Sequence, residues 1–155
     1  AQANVDFYTG MLGQRLVKKT VNFDAPDTYH LYYGDHTGSP GTILTFFPFV
    51  NAAPGRAGPG MASAYAYAVP APAFDGWMDR LALNAEDFDL TTRMGARVIT
   101  LRDPDGAPVE LVESPGGEGR IGGIACGHGH AGRRCRGPRT SRLGVGTICQ
   151  WRGCR

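Results

Sequence analysis

The sequence predicts an α+β fold built from two consecutive copies of one strand-and-helix unit, the βαβββ module. A helix followed by three strands is predicted over residues 4–47, and a strand, a helix and three strands over residues 62–114. A Pro/Gly/Ala-rich stretch without periodicity separates the two patterns. Repetition of a pattern at this length is typical of paired supersecondary units. We therefore predict a first module at residues 1–49, a linker at 50–61 and a second module at 62–114.

The first module is predicted to begin with a short amphipathic helix. We expect Asn4 to cap this helix and Gly13 to end it. Alternation of polar and apolar residues after Gly13 predicts a strand, with Leu16 and Lys18 on the same face. The predicted elements are a helix at 4–12 and strands at 14–23, 29–33 and 42–47.

The second module shows the complete pattern. Its helix carries an apolar stripe at the spacing of a helical face, and Asp103 to Gly106 has the residue types of a type I turn. The predicted elements are strands at 64–69, 88–94, 96–102 and 108–113 and a helix at 73–83. The first module lacks the opening strand that the second one has. We therefore expect the chain to be a fragment and the exposed module edge to favour a homodimer.

The C-terminal part differs in composition from the rest of the chain. Residues 117–155 contain eight Arg, no Lys and one acidic residue, whereas residues 1–116 contain eight basic and thirteen acidic residues. The net charge of +2 is therefore the sum of two unlike parts and does not indicate a nucleic-acid partner. The Gly-, Arg- and Cys-rich composition predicts a disordered tail at 115–155, of the kind that a GC-rich gene yields in a shifted frame.

The tail also leaves a metal-binding or RNA-binding arm as an alternative. Zinc sites use Cys and His at recurrent spacings, and the spacings here match no standard zinc motif. The candidate residues are Cys126, His128, His130, Cys135, Cys149 and Cys154.

Three stretches carry a resemblance to a known family: DFYTGMLGQRLVKKTVNFDAPDTYHLYYGD (6–35), GSPGTILTFFPF (38–49) and ITLRDPDGAPVELVE (99–113). The first two resemble the N-terminal region of hydroquinone-type ring-cleaving dioxygenases of the vicinal-oxygen-chelate superfamily, which includes glyoxalases and bleomycin-resistance proteins. The third is similar to the end of a module in that superfamily. The resemblance implies cleavage of an aromatic diol ring with dioxygen at Fe(II), which two His and one Glu hold with open positions for substrate.

The same resemblance implies that the iron ligands lie outside this chain. In the family, the first His precedes the position of Asn4, and the second His and the Glu belong to the C-terminal half. We therefore expect no bound metal, no catalytic residue and no activity from this chain alone. Glu110 is the one candidate metal ligand, because many superfamily members place a metal carboxylate at this position. The alternative is a hydrogen-bonded or solvent-facing strand carboxylate.

His30, Tyr65 and Tyr67 are the candidates for a pocket that binds a small aromatic substrate. The alternative for each is a structural residue of its strand. Two other functions stay open: a glyoxalase-like metal-dependent lyase or isomerase, and a non-catalytic small-molecule-binding module of the same superfamily. No apolar run has the roughly 20 residues of a membrane helix, and no signal-peptide pattern is present, so we expect a cytoplasmic protein without membrane or nucleic-acid partners.

Overall fold

The computed structural model describes residues 1–53, 55–56, 58, 61–115 and 124–126. The described residues form two compact units, one within residues 1–57 and the other within residues 58–133. Each contains one sheet with a helical segment, so the predicted α+β fold of paired modules is confirmed. The predicted module boundaries stay predictions, and most of the predicted tail lies outside the described residues.

The first unit is a helical segment followed by a three-stranded antiparallel sheet in the order β1-β2-β3. Its elements are α1 (Gln2–Val5), continued by a π-helical turn (Asp6–Met11), and the strands β1 (Arg15–Val21), β2 (Tyr29–Gly34) and β3 (Leu44–Phe46). The described residues contain no strand on the other side of β3.

An aromatic cluster joins the helical segment to one face of this sheet. The Tyr8 ring is fully buried, and its centroid lies 5.1 Å from that of Tyr33 and 4.6 Å from that of Phe46. The Tyr33 hydroxyl donates a 2.8 Å hydrogen bond to Asn4 Oδ1. The prediction that Asn4 caps the helix was therefore wrong: Asn4 lies within α1 and satisfies a buried phenol. Gly13, with φ of +69°, follows the helical segment as predicted.

A β-bulge interrupts β1. Leu16 pairs with Tyr33, but Lys18 pairs with Tyr32, so the register shifts between them. Leu16 and Lys18 therefore lie on opposite faces of the sheet, and the prediction of one shared face was wrong because a bulge adds one residue to the strand. The extra residue, Val17, packs where Gly34 has no side chain; a Cβ at Gly34 would lie 3.1 Å from Val17 Cγ2.

The second unit is a mixed sheet in the order β5-β6-β7-β4-β8 with one helix. Its elements are β4 (Ala62–Pro70), α2 (Ala71–Leu83), β5 (Asp89–Arg93), β6 (Ala96–Arg102), β7 (Pro108–Ser114) and β8 (Ile124–Cys126). The opening strand β4 pairs in parallel with the closing strand β7, and this pairing requires a crossover that includes α2. β8, which falls in the predicted tail, pairs antiparallel with β4.

The loop before β3 in the first unit and the loop before β7 in the second unit have the same construction. Asp35 Oδ1 accepts hydrogen bonds from the backbone N–H groups two and four residues further on, at 3.1 and 2.8 Å, and Asp103 Oδ1 does the same at 3.0 and 2.8 Å. Three residues after each aspartate stands a glycine with positive φ, Gly38 at +69° and Gly106 at +82°, and the first loop contains a second one, Gly41 at +89°. The Gly106 N–H also bonds the Asp103 carbonyl at 2.8 Å, which confirms the predicted turn.

Candidate functional site

Tyr65 and Tyr67 lie on the helix-bearing face of the second sheet. Alternate residues of a strand share a face, so both tyrosines face the same side as Val69, which pairs with Glu113. Glu113 accepts hydrogen bonds from Arg97, whose guanidinium also contacts α2 through Asp75 at 2.6 Å. The two tyrosines therefore share the side of the sheet that α2 covers, and their assignment to a substrate pocket stays a prediction.

Glu110 lies on the opposite face of the same sheet and is engaged by an arginine. Its two carboxylate oxygens accept hydrogen bonds from the two terminal nitrogens of Arg93, at 3.0 and 2.5 Å. The Glu110 side chain is 9% exposed and that of Arg93 is 51% exposed. The two hydrogen bonds place the positive charge of Arg93 against the negative charge of the buried carboxylate. The carboxylate in turn raises the pKa of Arg93, through the hydrogen bonds and through its charge.

The described residues do not fit an iron site. A facial iron site needs two imidazoles and one carboxylate on one ion. No group of three or more His, Cys, Asp or Glu side chains with metal-binding geometry occurs in the part of the chain that the structure describes. Glu110 itself uses both oxygens to bind Arg93. We therefore derive no chemical step through a metal from these residues.

A second polar site lies on the helix-free face of the first sheet, centred on His30. His30 and Tyr32 alternate with Leu31 and Tyr33, which are buried, so they face the other side of β2. His30 Nδ1 and the Tyr32 hydroxyl are hydrogen-bonded at 2.8 Å. The centroid of the His30 ring lies 4.0 Å from that of Tyr32 and 3.9 Å from that of Phe47. Stacking and the hydrogen bond together fix the orientation of the imidazole.

The electrostatic environment favours a neutral His30. Loss of solvent contact lowers the pKa of this imidazole, and the nearby positive charge of Lys18 lowers it further. Lys18 Nζ lies 5.5 Å from the centroid of the Tyr32 ring, so the same lysine borders the site from β1. A neutral imidazole has one N–H donor and one acceptor nitrogen.

Among the described residues, two polar atoms of this face are buried and have no hydrogen-bond partner. They are Nε2 of His30 and Oγ1 of Thr45. Thr45 pairs with Tyr32 across β2 and β3, so its side chain is on the His30 face of the sheet. A buried polar group without a partner costs roughly 1–3 kcal/mol, and native proteins rarely leave one unexplained.

Three residues of these sites were not identified from the sequence: Arg93, Tyr32 and Thr45. Arg93 could have been recognised from the sequence, because a basic residue on an edge strand can reach a carboxylate two strands away on the same face. Tyr32 could also have been recognised, because it stands two residues after His30 in a strand pattern. Thr45 could not, because its importance comes from burial and from a missing partner.

The sequence profile of the Glyoxalase/Bleomycin resistance protein/Dioxygenase superfamily matches residues 1–111. The chain belongs to this superfamily. The membership expected from the resemblance is thereby confirmed, and it agrees with the paired modules of the fold.

Curated relatives narrow the similarity to ring-cleaving dioxygenases. MhqO of Bacillus subtilis (strain 168), provisionally named a ring-cleaving dioxygenase, is 46% identical over 117 residues, which cover 76% of this chain and 38% of MhqO. The chlorohydroquinone/hydroquinone 1,2-dioxygenase of Sphingobium indicum is 38% identical over 117 residues, 73% of this chain and 36% of that enzyme. The chain thus spans less than two fifths of the length of these relatives.

Solved structures show the same fold. A Bacillus subtilis protein provisionally described as a dioxygenase superposes with a TM-score of 0.70 at 46% identity, over 73% of this chain and 36% of that one. A glyoxalase/dioxygenase from Nostoc punctiforme gives a TM-score of 0.53 at 21% identity, over 74% of this chain and 84% of that one, and shares the fold alone. Among the described residues, no helix combines the length and the apolar character needed to cross a membrane.

Proposed function

We propose that this chain is part of an Fe(II)-dependent, extradiol-type ring-cleaving dioxygenase that acts on hydroquinone- or catechol-like aromatics, and that it is inactive by itself. The observation that supports the reaction class is its similarity, over most of its own length, to relatives named ring-cleaving dioxygenases, one of them a chlorohydroquinone/hydroquinone 1,2-dioxygenase. The superfamily fold provides the sheets for such a site.

The role of the described residues in this proposal is to build the scaffold and to contact the substrate. Residues of other segments would hold the iron, and the ion would supply the chemistry that ring cleavage by dioxygen requires. The ion pair between Glu110 and Arg93 supports the proposal that the iron ligands belong to other segments. The helix-free face around His30 supports a contact with the substrate, because it combines aromatic rings with buried polar atoms that find no partner among the described residues.

The proposal of inactivity is tested with the 155-residue chain, loaded with Fe(II) in the absence of oxygen and then desalted. We expect substoichiometric iron and no oxygen consumption with hydroquinone above that of free iron. Stoichiometric iron together with oxygen consumption would contradict this part of the proposal. A Glu110→Ala variant is the matched control, since unchanged metal content would also remove the glyoxalase-like hypothesis that Glu110 is a ligand.

The proposed reaction class is tested with a chimera. Residues 4–114 of this chain replace the matching segment of the Sphingobium indicum enzyme, which supplies the remaining modules. We expect the chimera to bind one iron and to consume oxygen with hydroquinone. A folded, iron-loaded chimera that leaves hydroquinone intact would contradict the reaction class, because the activity would then depend on features that this chain lacks.

We also propose that the chain forms a homodimer through β3 and that it is cytoplasmic. Within the part of the chain that the structure describes, β3 pairs with β2 on one side only, whereas the equivalent β7 pairs on both sides. Free strand edges favour pairing with another chain. Sedimentation velocity tests the homodimer, which should dissociate into monomers on dilution. A monomer at all concentrations would contradict it.

A further inference from the structure

We propose that His30 Nε2 is the hydrogen-bond donor that holds a phenolic oxygen of the substrate, with Thr45 Oγ1 as the second partner of the same hydroxyl group. This inference rests on the proposed function, and it assigns the contact to the helix-free face of the first unit. Both atoms are buried there without a partner in the described chain.

The protonation of His30 follows from its contact with Tyr32. The two groups share one hydrogen bond of 2.8 Å, and the lowered pKa keeps the imidazole neutral. The phenolic O–H is the more acidic of the two donors, so it donates to Nδ1. The single imidazole proton is therefore on Nε2. A protonated Nε2 has no lone pair for a metal ion, so its natural partner is an oxygen acceptor.

The ligand that fits these two atoms carries a hydroxyl group on an aromatic ring. The oxygen of such a hydroxyl group can accept a hydrogen bond from the N–H of His30 Nε2. Its own O–H can donate a hydrogen bond to Thr45 Oγ1, because a threonine hydroxyl oxygen is an acceptor as well as a donor. Thr45 lies diagonally from His30 on neighbouring strands, because it pairs with Tyr32, two residues away. Such diagonal neighbours have Cα atoms roughly 7–8 Å apart, within reach of one bridging group.

The same face has exposed side chains and aromatic surface near the two buried atoms. Lys18 is exposed and His30 is only partly buried, so solvent reaches the β1 side of the site. Phe49 stacks near Phe47 with a centroid distance of 6.2 Å and is itself partly exposed. Aromatic rings contact other aromatic rings favourably at such distances, whereas a purely aliphatic alcohol would not gain this contribution.

The test measures hydroquinone binding to the full 155-residue chain without metal and without oxygen. The 15N shifts of the imidazoles identify the tautomer first, and we expect the Nε2–H form for His30. On titration with hydroquinone, the Nε2 resonance of His30 should shift, while that of the exposed His36 in the same unit should not.

Variants then separate the hydrogen bond from the ring stacking. His30→Phe keeps an aromatic ring but removes Nε2, and we expect it to weaken hydroquinone binding roughly three- to tenfold. His36→Phe is the matched control and should bind like the unmodified chain. 1,4-Difluorobenzene, which has no hydroxyl group, should bind both variants equally.

Tyr32→Phe provides a readout that does not depend on His30→Phe folding. It removes the donor to Nδ1, so the His30 tautomer should become mixed and hydroquinone binding should weaken. The inference is overturned if hydroquinone does not bind, if His30 carries its proton on Nδ1, or if His30→Phe and His36→Phe bind equally. Because the assay excludes iron and oxygen, a failure of the proposed dioxygenase activity leaves its outcome unaffected.

Discussion

Removal of Arg93 should destabilise the second unit more than removal of its partner, Glu110. Breaking a buried ion pair leaves an uncompensated charge and costs about 3–5 kcal/mol, whereas an exposed pair contributes about 0.2–1 kcal/mol. The Glu110 side chain is 9% exposed and that of Arg93 is 51% exposed, so the pair lies between these limits. We expect Arg93→Ala to lower the free energy of unfolding by about 2 kcal/mol, after allowance for solvent around Arg93.

The loss of stability should differ between variants of the two partners. Glu110→Gln leaves a guanidinium that water can still reach, so we expect a loss of only about 1 kcal/mol. The double variant should be more stable than Arg93→Ala alone, because it no longer buries a lone carboxylate. Urea unfolding followed by Trp77 fluorescence measures these differences, in a Trp151→Phe background so that the signal comes from α2.

Arg102→Ala is the control for loss of an arginine from the same sheet. Its guanidinium donates to the Gly106 carbonyl at 2.9 Å and is exposed, so we expect a change within about 0.5 kcal/mol. The reasoning is refuted if Arg93→Ala costs no more than Arg102→Ala, or if Glu110→Gln costs as much as Arg93→Ala. Either result would mean that solvent already screens the Glu110 carboxylate.

Three further predictions concern the two units separately. Gly34→Ala should lower the free energy of unfolding by about 1–3 kcal/mol, because its Cβ would lie 2.8 Å from Ile43 Cδ1. Gly76→Ala in α2 should raise it by about 0.5–1 kcal/mol, because the new Cβ would meet no neighbouring side chain within 4 Å; thermal unfolding measures both changes. Hydrogen bonds from Ser39 and then Thr37 lower the pKa of Asp35 from 3.8 to about 2. The ionised Asp35 therefore contributes its full stabilisation above pH 3.8 and loses it as the pH falls through 2. In acid unfolding, the stability of Asp35→Ala should depend less steeply on pH than that of the unmodified chain. Thr45→Val should raise the free energy of unfolding of the ligand-free chain by about 1 kcal/mol, because it removes a buried hydroxyl that has no partner among the described residues. The same variant should bind hydroquinone more weakly. A loss of stability would mean that the Thr45 hydroxyl does have a partner in the chain.

The periodicity of the sequence was sufficient to predict α2 and the strands of both units except β8, which falls in the predicted tail. The predicted helix at 73–83 corresponds to Ala71–Leu83, and the predicted closing strand at 108–113 corresponds to Pro108–Ser114. These elements were predictable because burial on one face imposes a regular spacing of apolar residues. The turn at Asp103 was predictable for a related reason, since its residue types are specific for that geometry.

The errors occurred where a tertiary contact overrides a local rule. Asn4 has the residue type of a helix cap, but a phenol from β2 binds its side chain inside the helix. The bulge at Val17 depends on Gly34, which belongs to another strand, so no pattern within β1 could indicate it. The partner of Glu110 was missed in the same way, because Arg93 comes from a strand that is not adjacent to β7.

The two units differ in how a buried polar side chain on the helix-free face is satisfied. Thr45 lies on the helix-free face of β3, and Glu110 lies on the helix-free face of β7. In the second unit, the chain provides its own partner, since Arg93 occupies both oxygens of Glu110. In the first unit, the hydroxyl of Thr45 is buried with no partner from the described residues. Within the described residues, the buried carboxylate of Glu110 is satisfied and the buried hydroxyl of Thr45 is not, and this difference supports the proposed contact between Thr45 and a ligand.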